Sequence, residues 1–362
     1  LLSDPDNTVR WAAARALGKI GPGSIDDVAK AAGHLSSEDP DIRSCTAYAL
    51  GELGRAAAGQ VERIAPLLGS QERALRRNAA EALAKIGRAE PTQIPQIAAY
   101  LKSRQALARW AAAYAMGEIG LPASAHIPEV AALLKDPDFN VRKTAAYSIG
   151  KMGPDAGTHA PALAALFEDP HAEVCMYAVN ALSDLGEAGL PHLSKAVFLL
   201  ENGSPEIKQN TAFALGRLGS HAAPFLPQLM TLTRDSDPDV RLAGVYSAGQ
   251  AADGDKVLIP DAAALLRDSH PNVRKAAANI LLNSGPLSLS DIIPVLAAAY
   301  PFEAELTPTV RFVAHCLGCG NPEIEQALDW LCLEKRLLPE SVSAETGRQM
   351  LSILEPIWAR SS

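Results

Sequence analysis

The stretch DPDFNVRKTAAYSIGKMG, from Asp136 to Gly153, decides the fold of this 362-residue chain. Asp-Pro-Asp is typical of a turn that ends one helix and caps the next. Arg142 in this stretch recurs every 33 residues, and the equivalent positions are Arg10, Arg43, Arg76, Arg109, Arg142, Cys175, Lys208, Arg241 and Arg274. A proline keeps the same spacing at Pro95, Pro128, Pro161, Pro227 and Pro260. Two markers in one register predict an internal repeat.

Each repeat is predicted to form a hairpin of two α-helices. The first helix, IPEVAALL, begins at Ile127 with a proline in its first turn, where the missing N–H costs nothing. The turn KDPDFN follows, and the second helix then begins at Val141. Gly150 and Gly153 suit close packing and chain reversal. One such hairpin cannot bury enough apolar surface alone, so we expect neighbouring hairpins to stack.

Composition excludes several classes of function. The formal net charge of -8 argues against nucleic acid as a partner, because binding a phosphate backbone requires a dense basic surface. No apolar run reaches the roughly 18–20 residues that span a bilayer, and the N-terminus lacks the features of a signal peptide. We therefore expect a cytoplasmic protein with reduced thiols and no membrane partner. Because the chain begins at Leu1 within a repeat, we also expect upstream domains of a longer polypeptide.

The motif D-P-x-x-x-V-R-x-x-A-A-x-A-L-G-x-I-G, which covers residues 1–285, resembles HEAT repeats, in particular the short bacterial repeats called phycobilisome-lyase-like. This resemblance implies an all-α, right-handed α-solenoid of about ten hairpins over residues 1–290, with an irregular last repeat and a helical cap over residues 291–362. It also implies an Asp–Arg ladder between neighbouring repeats. The turn Asp is present at Asp4, Asp136, Asp169, Asp235 and Asp268, whereas Ser70, Ser103 and Asn202 replace it elsewhere. The ladder is therefore expected to be incomplete.

A stripe of varied residues follows the second helices, one and five residues after the repeated Arg, where side chains point the same way. Seven of these 18 positions are aromatic, against 11 of the other 344, an enrichment of about tenfold. The resemblance to HEAT repeats implies that the stripe lies on the concave side. The candidate partner-binding residues are Trp11, Tyr48, Arg77, Trp110, Tyr114, Lys143, Tyr147, Phe213 and Tyr246.

Two interpretations of this stripe remain open. The rings supply rigid contact area for a protein or peptide partner, or they fill the grooves between adjacent repeats. Nine residues after the Arg, the charge alternates in sign through Lys19, Glu52, Lys85, Glu118, Lys151, Asp184 and Arg217. Such alternation predicts ion pairs between neighbouring repeats.

The sequence predicts no enzyme, no cofactor and no metal site. His315, Cys316, Cys319 and Cys332 are the one cluster of metal-ligand types, but it lacks the second Cys pair of a usual zinc site. The His-Glu dipeptides of the HEAT-repeat enzyme deoxyhypusine hydroxylase are absent as well. The expected function is a non-catalytic protein-binding scaffold or sensor arm. The alternative, which rests on resemblance alone, is a phycobilin lyase that handles a chromophore.

Overall fold

The computed structural model describes residues 1–21 and 25–284. These residues form 17 α-helices, and no strand occurs among them. The chain divides into two compact units, Leu1–Ala196 and Val197–Ser362. The all-α solenoid that the repeats predicted is confirmed within the described part of each unit, whereas the predicted cap over residues 291–362 lies outside the described residues.

The first unit alternates long and short helices. Its second helices, which carry the repeated Arg position, are α1 (Asn7–Ile20), α3 (Pro40–Glu52), α5 (Arg73–Ala89), α7 (Ala106–Ile119), α9 (Phe139–Lys151) and α11 (Ala172–Asp184). The first helices of the hairpins are α2 (Ile25–Gly33), α4 (Val61–Ile64), α6 (Ile94–Ala98), α8 (Ile127–Ala132) and α10 (Ala160–Ala165).

The described part of the second unit repeats this alternation. It contains α12 (Val197–Asn202), α13 (Pro205–Gly216), α14 (Leu226–Leu232), α15 (Pro238–Ala252), α16 (Ile259–Leu265) and α17 (Pro271–Asn283). Each of the nine positions at the 33-residue spacing therefore falls in its own odd-numbered helix.

The turns begin and end the helices as the sequence predicted. Asp138 is the N-cap of α9, and its carboxylate accepts hydrogen bonds from the N–H groups of Asn140 and Val141. The first helix of this hairpin is shorter than predicted, because α8 ends at Ala132 and a 3₁₀ turn covers Leu133–Lys135. Such 3₁₀ turns commonly finish helices, since they satisfy the last carbonyl groups.

Small residues allow the second helices to pack closely. Ala112 of α7 and Ala145 of α9 are fully buried, as their place in the repeat predicted. At Gly117, an added Cβ atom would lie only 2.8 Å from the Cα atom of Ser148 on α9. Only a residue without a side chain permits this approach.

The Asp–Arg ladder is present where both residues occur. Arg109 donates two hydrogen bonds to Asp136, from Nε (2.6 Å) and Nη2 (2.9 Å). The corresponding links elsewhere are Arg142–Asp169, Lys208–Asp235 and Arg241–Asp268. Each of these cations binds the turn carboxylate of the next repeat, 27 residues along the chain. The ladder stops where serine replaces the aspartate, as the sequence predicted.

Two properties of the described residues bear on the expected class of protein. None of their helices is both long enough and apolar enough to span a bilayer. Cys45 and Cys175 are buried, free thiols. The cluster of His315, Cys316, Cys319 and Cys332 lies outside the described residues.

Candidate functional site

A groove of about 640 Å³ lies across α5, α7 and α9 in the first unit. Five of the nine candidate binding residues line it: Arg77, Trp110, Tyr114, Lys143 and Tyr147. These side chains meet because α5, α7 and α9 pack side by side and present the same repeat positions to the same face. The sequence stripe is therefore a continuous surface in this part of the chain.

Four rings line the groove in a row, which we call the aromatic ladder: Trp110, Tyr114, Tyr147 and Tyr177. Trp110 stacks on Tyr114 within α7, with centroids 6.0 Å apart and planes 8° from parallel. Tyr114 stacks on Tyr147 of α9 at 6.2 Å, and Tyr147 meets Tyr177 of α11 edge to face at 6.4 Å. All four side chains are half-buried. Each ring thus packs against its neighbours and still offers surface to a ligand.

Tyr147 is fixed in place by polar contacts. Its hydroxyl donates a hydrogen bond of 2.5 Å to the carboxylate of Glu118, and the Lys151 ammonium lies 5.7 Å from the ring centroid. Burial raises the pKa of Tyr147, and the hydrogen bond to Glu118 raises it further. The phenol therefore remains neutral and oriented at physiological pH.

Four cations line the same groove: Arg73, Arg76, Arg77 and Lys143. Arg77 donates to Glu81 at 2.8 Å, and this hydrogen bond raises the pKa of Arg77. Lys143 pairs with Glu173 at 2.5 Å. Arg73 is exposed and pairs with no carboxylate among the described residues. Two of the four positive charges are therefore neutralised and two are not.

Arg76 is the other unneutralised cation, and it is buried, with 9% of the residue exposed. Its Nη1 donates to the carbonyl groups of Ser70 and Gln71, but its Nε has no hydrogen-bond partner. The guanidinium carbon lies 5.4 Å from the ring centroid of Trp110. Burial lowers the pKa of Arg76, and nearby Arg73 lowers it further. The environment of Arg76 is therefore unfavourable for a positive charge, although the arginine remains charged there.

The remaining candidate residues are not among those that line this groove. Trp11 and Tyr48 contact each other at 5.5 Å, edge to face, and pack against a buried cluster that includes Leu2 and Cys45. In the second unit, Phe213 and Tyr246 form a similar contact at 5.9 Å. Tyr246 is 52% exposed. The predicted stripe thus separates into two isolated pairs and one extended groove.

The alternating charges make contacts of more than one kind. Lys85 forms an ion pair with Glu52 of the preceding repeat, as the alternation predicted, and also lies over the ring of Tyr48. Glu118 instead accepts the hydroxyl of Tyr147. These charged side chains therefore contact the aromatic residues as well as each other.

Sequence reasoning missed three of the eight aromatic and cationic residues that line the groove. Tyr177 lies two residues after Cys175, outside the positions chosen for the stripe. Arg73 lies three residues before the repeated Arg76, about one turn earlier in α5, so the two side chains share a face of the helix. Arg76 was treated as a scaffold residue, although Ser103 already marked the loss of its carboxylate partner.

The described residues contain no group of three or more His, Cys, Asp or Glu side chains that could hold a metal ion. Within this part of the chain, the groove offers aromatic faces and arginines. These groups bind anions and apolar surfaces.

Comparison with solved structures finds many helical proteins. Yeast importin-β (Kap95p) is 14% identical with a TM-score of 0.59, and the match covers 98% of this chain but 55% of importin-β. The Escherichia coli protein YibA is 22% identical, with 68% of this chain and 89% of YibA covered and a TM-score of 0.45. The CpcE–CpcF phycocyanin lyase of Nostoc is 19% identical, with 72% and 94% covered and a TM-score of 0.40. At these identities, importin-β supports the fold alone.

A search of curated proteins finds no match. The family model for HEAT repeats matches four successive segments, residues 1–61, 61–127, 127–197 and 196–281. These segments cover most of the chain and follow its repeated hairpins. The chain belongs to the HEAT-repeat family.

Proposed function

We propose that this chain is a non-catalytic protein-binding scaffold, part of a larger cytoplasmic protein of bacterial type, and that it holds an extended peptide segment of its partner in the groove across α5, α7 and α9. The observation that carries this proposal is the aromatic ladder, four half-buried rings in one continuous row. An open row of rings is suited to an elongated ligand.

The chemistry of the ladder favours peptide binding. Tyrosine and tryptophan provide large apolar contact with few rotatable bonds to immobilise, and they dominate the energetics of protein interfaces. Their positions are set before any partner arrives, because the rings stack and Tyr147 is hydrogen-bonded to Glu118. Preorganisation of this kind improves affinity, since less entropy is lost on binding.

The HEAT fold is compatible with such a function. One solved structure of importin-β, the Kap95:Nup1 complex, contains a second protein. That observation concerns importin-β, and it supports our proposal only as an example of the fold engaged with another protein.

The proposal is tested by removing three rings of the aromatic ladder. Random 12-residue peptides displayed on phage would be selected on the full chain and on the variant Trp110→Ala/Tyr114→Ala/Tyr147→Ala. Because each ring contributes a large share of the contact area, we expect peptides that bind the unmodified chain at least about 100-fold more tightly than the variant. Fluorescence anisotropy with labelled synthetic peptides measures the difference.

The matched control is Phe213→Ala/Tyr246→Ala, which removes rings from equivalent repeat positions outside the groove. Circular dichroism must show the same helix content in both variants. Selection of the same peptides, with equal affinity, on the ladder variant would refute the proposal. An absorbance shift of an added bilin that depends on the ladder would favour the phycobilin-lyase alternative instead.

A further inference from the structure

We infer that the groove recognises an acidic peptide segment, with a partner carboxylate bound to Arg76 beside Arg73 and an adjacent apolar side chain on the aromatic ladder. The inference rests on the proposed function and specifies its partner. Its carrying observation is a buried guanidinium in the groove that lacks the carboxylate bound by Arg109, Arg142 and Arg241 at the same repeat position.

The other repeats show what Arg76 lacks. Arg109 and Arg142 both use Nη1 to bind carbonyl groups of their own turn. They then use Nε and Nη2 to bind both oxygens of the next aspartate. Arg76 makes the same turn contacts through Nη1, yet its Nε has no partner. The Nε–Nη2 edge, which binds a carboxylate in Arg109 and Arg142, therefore has no carboxylate partner in Arg76 among the described residues, and its Nε is buried.

Arg76 lacks this carboxylate because Ser103 stands where the next repeats have aspartate. Ser103 occupies the turn position at which Asp136 and Asp169 supply the carboxylate in the next two repeats. Its hydroxyl lies 3.2 Å from the N–H of Gln105, and Asp136 binds the N–H of Asp138 in the same way. The turn is thus preserved while the negative charge is absent. A buried cation without a counter-charge is unfavourable. A partner carboxylate bound to Arg76 would therefore stabilise the complex.

The charges around the groove favour an anionic ligand. Arg77 and Lys143 are paired with Glu81 and Glu173, which leaves Arg73 and Arg76 unneutralised. Asp138 also lines the groove, but its carboxylate accepts the N–H groups that begin α9. Glu118 places a carboxylate at Tyr147, but Arg73 and Arg76 pair with no carboxylate among the described residues, in a chain whose net charge is -8. One or two carboxylates complement these two arginines.

Nucleic acid also combines anions with stacking rings, but the charge count favours a peptide. Non-specific binding of nucleic acid draws on many cations that neutralise successive phosphates. The groove offers two unneutralised arginines. We therefore assign the aromatic ladder to apolar side chains of a peptide and keep a single-stranded oligonucleotide as a probe in the test.

The test restores the missing carboxylate within the chain. Ser103→Asp would pair with Arg76 as Asp136 pairs with Arg109, and so would occupy the proposed carboxylate site. We expect this variant to resist urea unfolding better than the unmodified chain, and yet to bind the ladder-dependent peptides about tenfold or more weakly, the usual scale for a charge-assisted hydrogen bond. Greater stability with weaker binding cannot arise from misfolding.

Ser37→Asp is the matched control, because it places the same carboxylate opposite Arg10, two repeats before the groove. It should leave peptide affinity unchanged. Arg73→Gln removes an exposed charge that makes no ion pair among the described residues, and it should weaken peptide binding without changing stability. The peptides themselves should be enriched in Asp and Glu, and replacing these by Asn and Gln should cost about tenfold or more in affinity.

Each outcome has a distinct meaning. Ladder-dependent peptides that are neutral or basic, and that bind Ser103→Asp as tightly as the unmodified chain, would overturn the acidic-segment inference and leave the proposed function intact. Failure to recover any ladder-dependent peptide would overturn both. Tight, steeply salt-dependent binding of a 12-nucleotide oligothymidine that requires the ladder would replace the peptide by nucleic acid.

Discussion

At the scale of single residues, the carboxylates of the Asp–Arg ladder stabilise the fold only when they are ionised. Burial by itself raises the pKa of Asp169, but the hydrogen bonds from Arg142 and from the N–H of His171 lower it by more. The pKa of Asp268 is lowered in the same way by Arg241 and the N–H of His270. A carboxyl group whose pKa is lower in the folded state adds stability above its unfolded value of about 4, and this stability is lost as the pH falls through the folded value.

Asp169→Asn tests this contribution. The amide can keep the turn hydrogen bond from the N–H of His171, but it leaves the half-buried Arg142 without this counter-charge. We expect a loss of about 3 kcal/mol in the free energy of unfolding at pH 7, measured by urea titration. The loss should shrink as the pH falls from about 4 through the lowered pKa of folded Asp169, because the wild-type carboxylate is progressively protonated over that range.

Asp4→Asn provides the control at the same repeat position. The Asp4 carboxylate accepts the N–H of Asp6 within its turn but pairs with no arginine among the described residues, since Arg10 binds Asp4 only at its backbone carbonyl. Its substitution should cost less than about 0.5 kcal/mol. An equal loss in the two variants would mean that the turn, and not the ion pair, accounts for the effect.

At the scale of the helices, the sequence predicted which helix each repeated residue would lie in. It predicted less well which of these residues meet in the groove and which of them lack a counter-charge. The 33-residue spacing placed one repeated position in each second helix, because helix boundaries follow local signals such as Asp138 and the prolines. The stripe around Trp110 and Tyr147 was also readable, because residues four apart share a helix face. Which stripe residues would meet in one groove depends on how α5, α7 and α9 pack, and no single repeat encodes that.

The second helices depend on a close approach at Gly117. An alanine there would bring its Cβ atom to 2.8 Å from the backbone of Ser148, and a buried helix cannot move aside freely. We expect Gly117→Ala to destabilise the chain by about 2 kcal/mol, despite the better helix propensity of alanine. Urea unfolding followed by circular dichroism would measure the change.

Gly59→Ala is the matched control, since Gly59 is exposed and nothing lies within 4 Å of an added Cβ atom. It should be neutral or slightly stabilising. A neutral effect at both positions would show that the second helices tolerate a wider spacing than the structure indicates.

At the scale of the whole molecule, we expect some repeat positions to stabilise the fold and others to bind a partner. Within each unit, the described hairpins contact their neighbours through shared small and apolar positions, so stability is distributed over the repeats. The repeated Arg position illustrates the division. Arg109 and Arg142 each bind a carboxylate of the fold itself, whereas Arg76 lines the groove and has a buried Nε with no hydrogen-bond partner among the described residues. At Arg76 we propose that a partner supplies the carboxylate that Arg109 and Arg142 obtain from the fold.

The most direct test is hydroxyl-radical footprinting of the full chain with a selected acidic peptide. Oxidation of Trp110, Tyr114 and Tyr147 should fall several-fold on peptide addition, because a bound segment would cover their exposed faces. Trp11 and Tyr48, which lie at equivalent repeat positions outside the groove, should be oxidised at the same rate with and without peptide. Protection of Trp11 and Tyr48 with unchanged oxidation of the aromatic ladder would contradict the account.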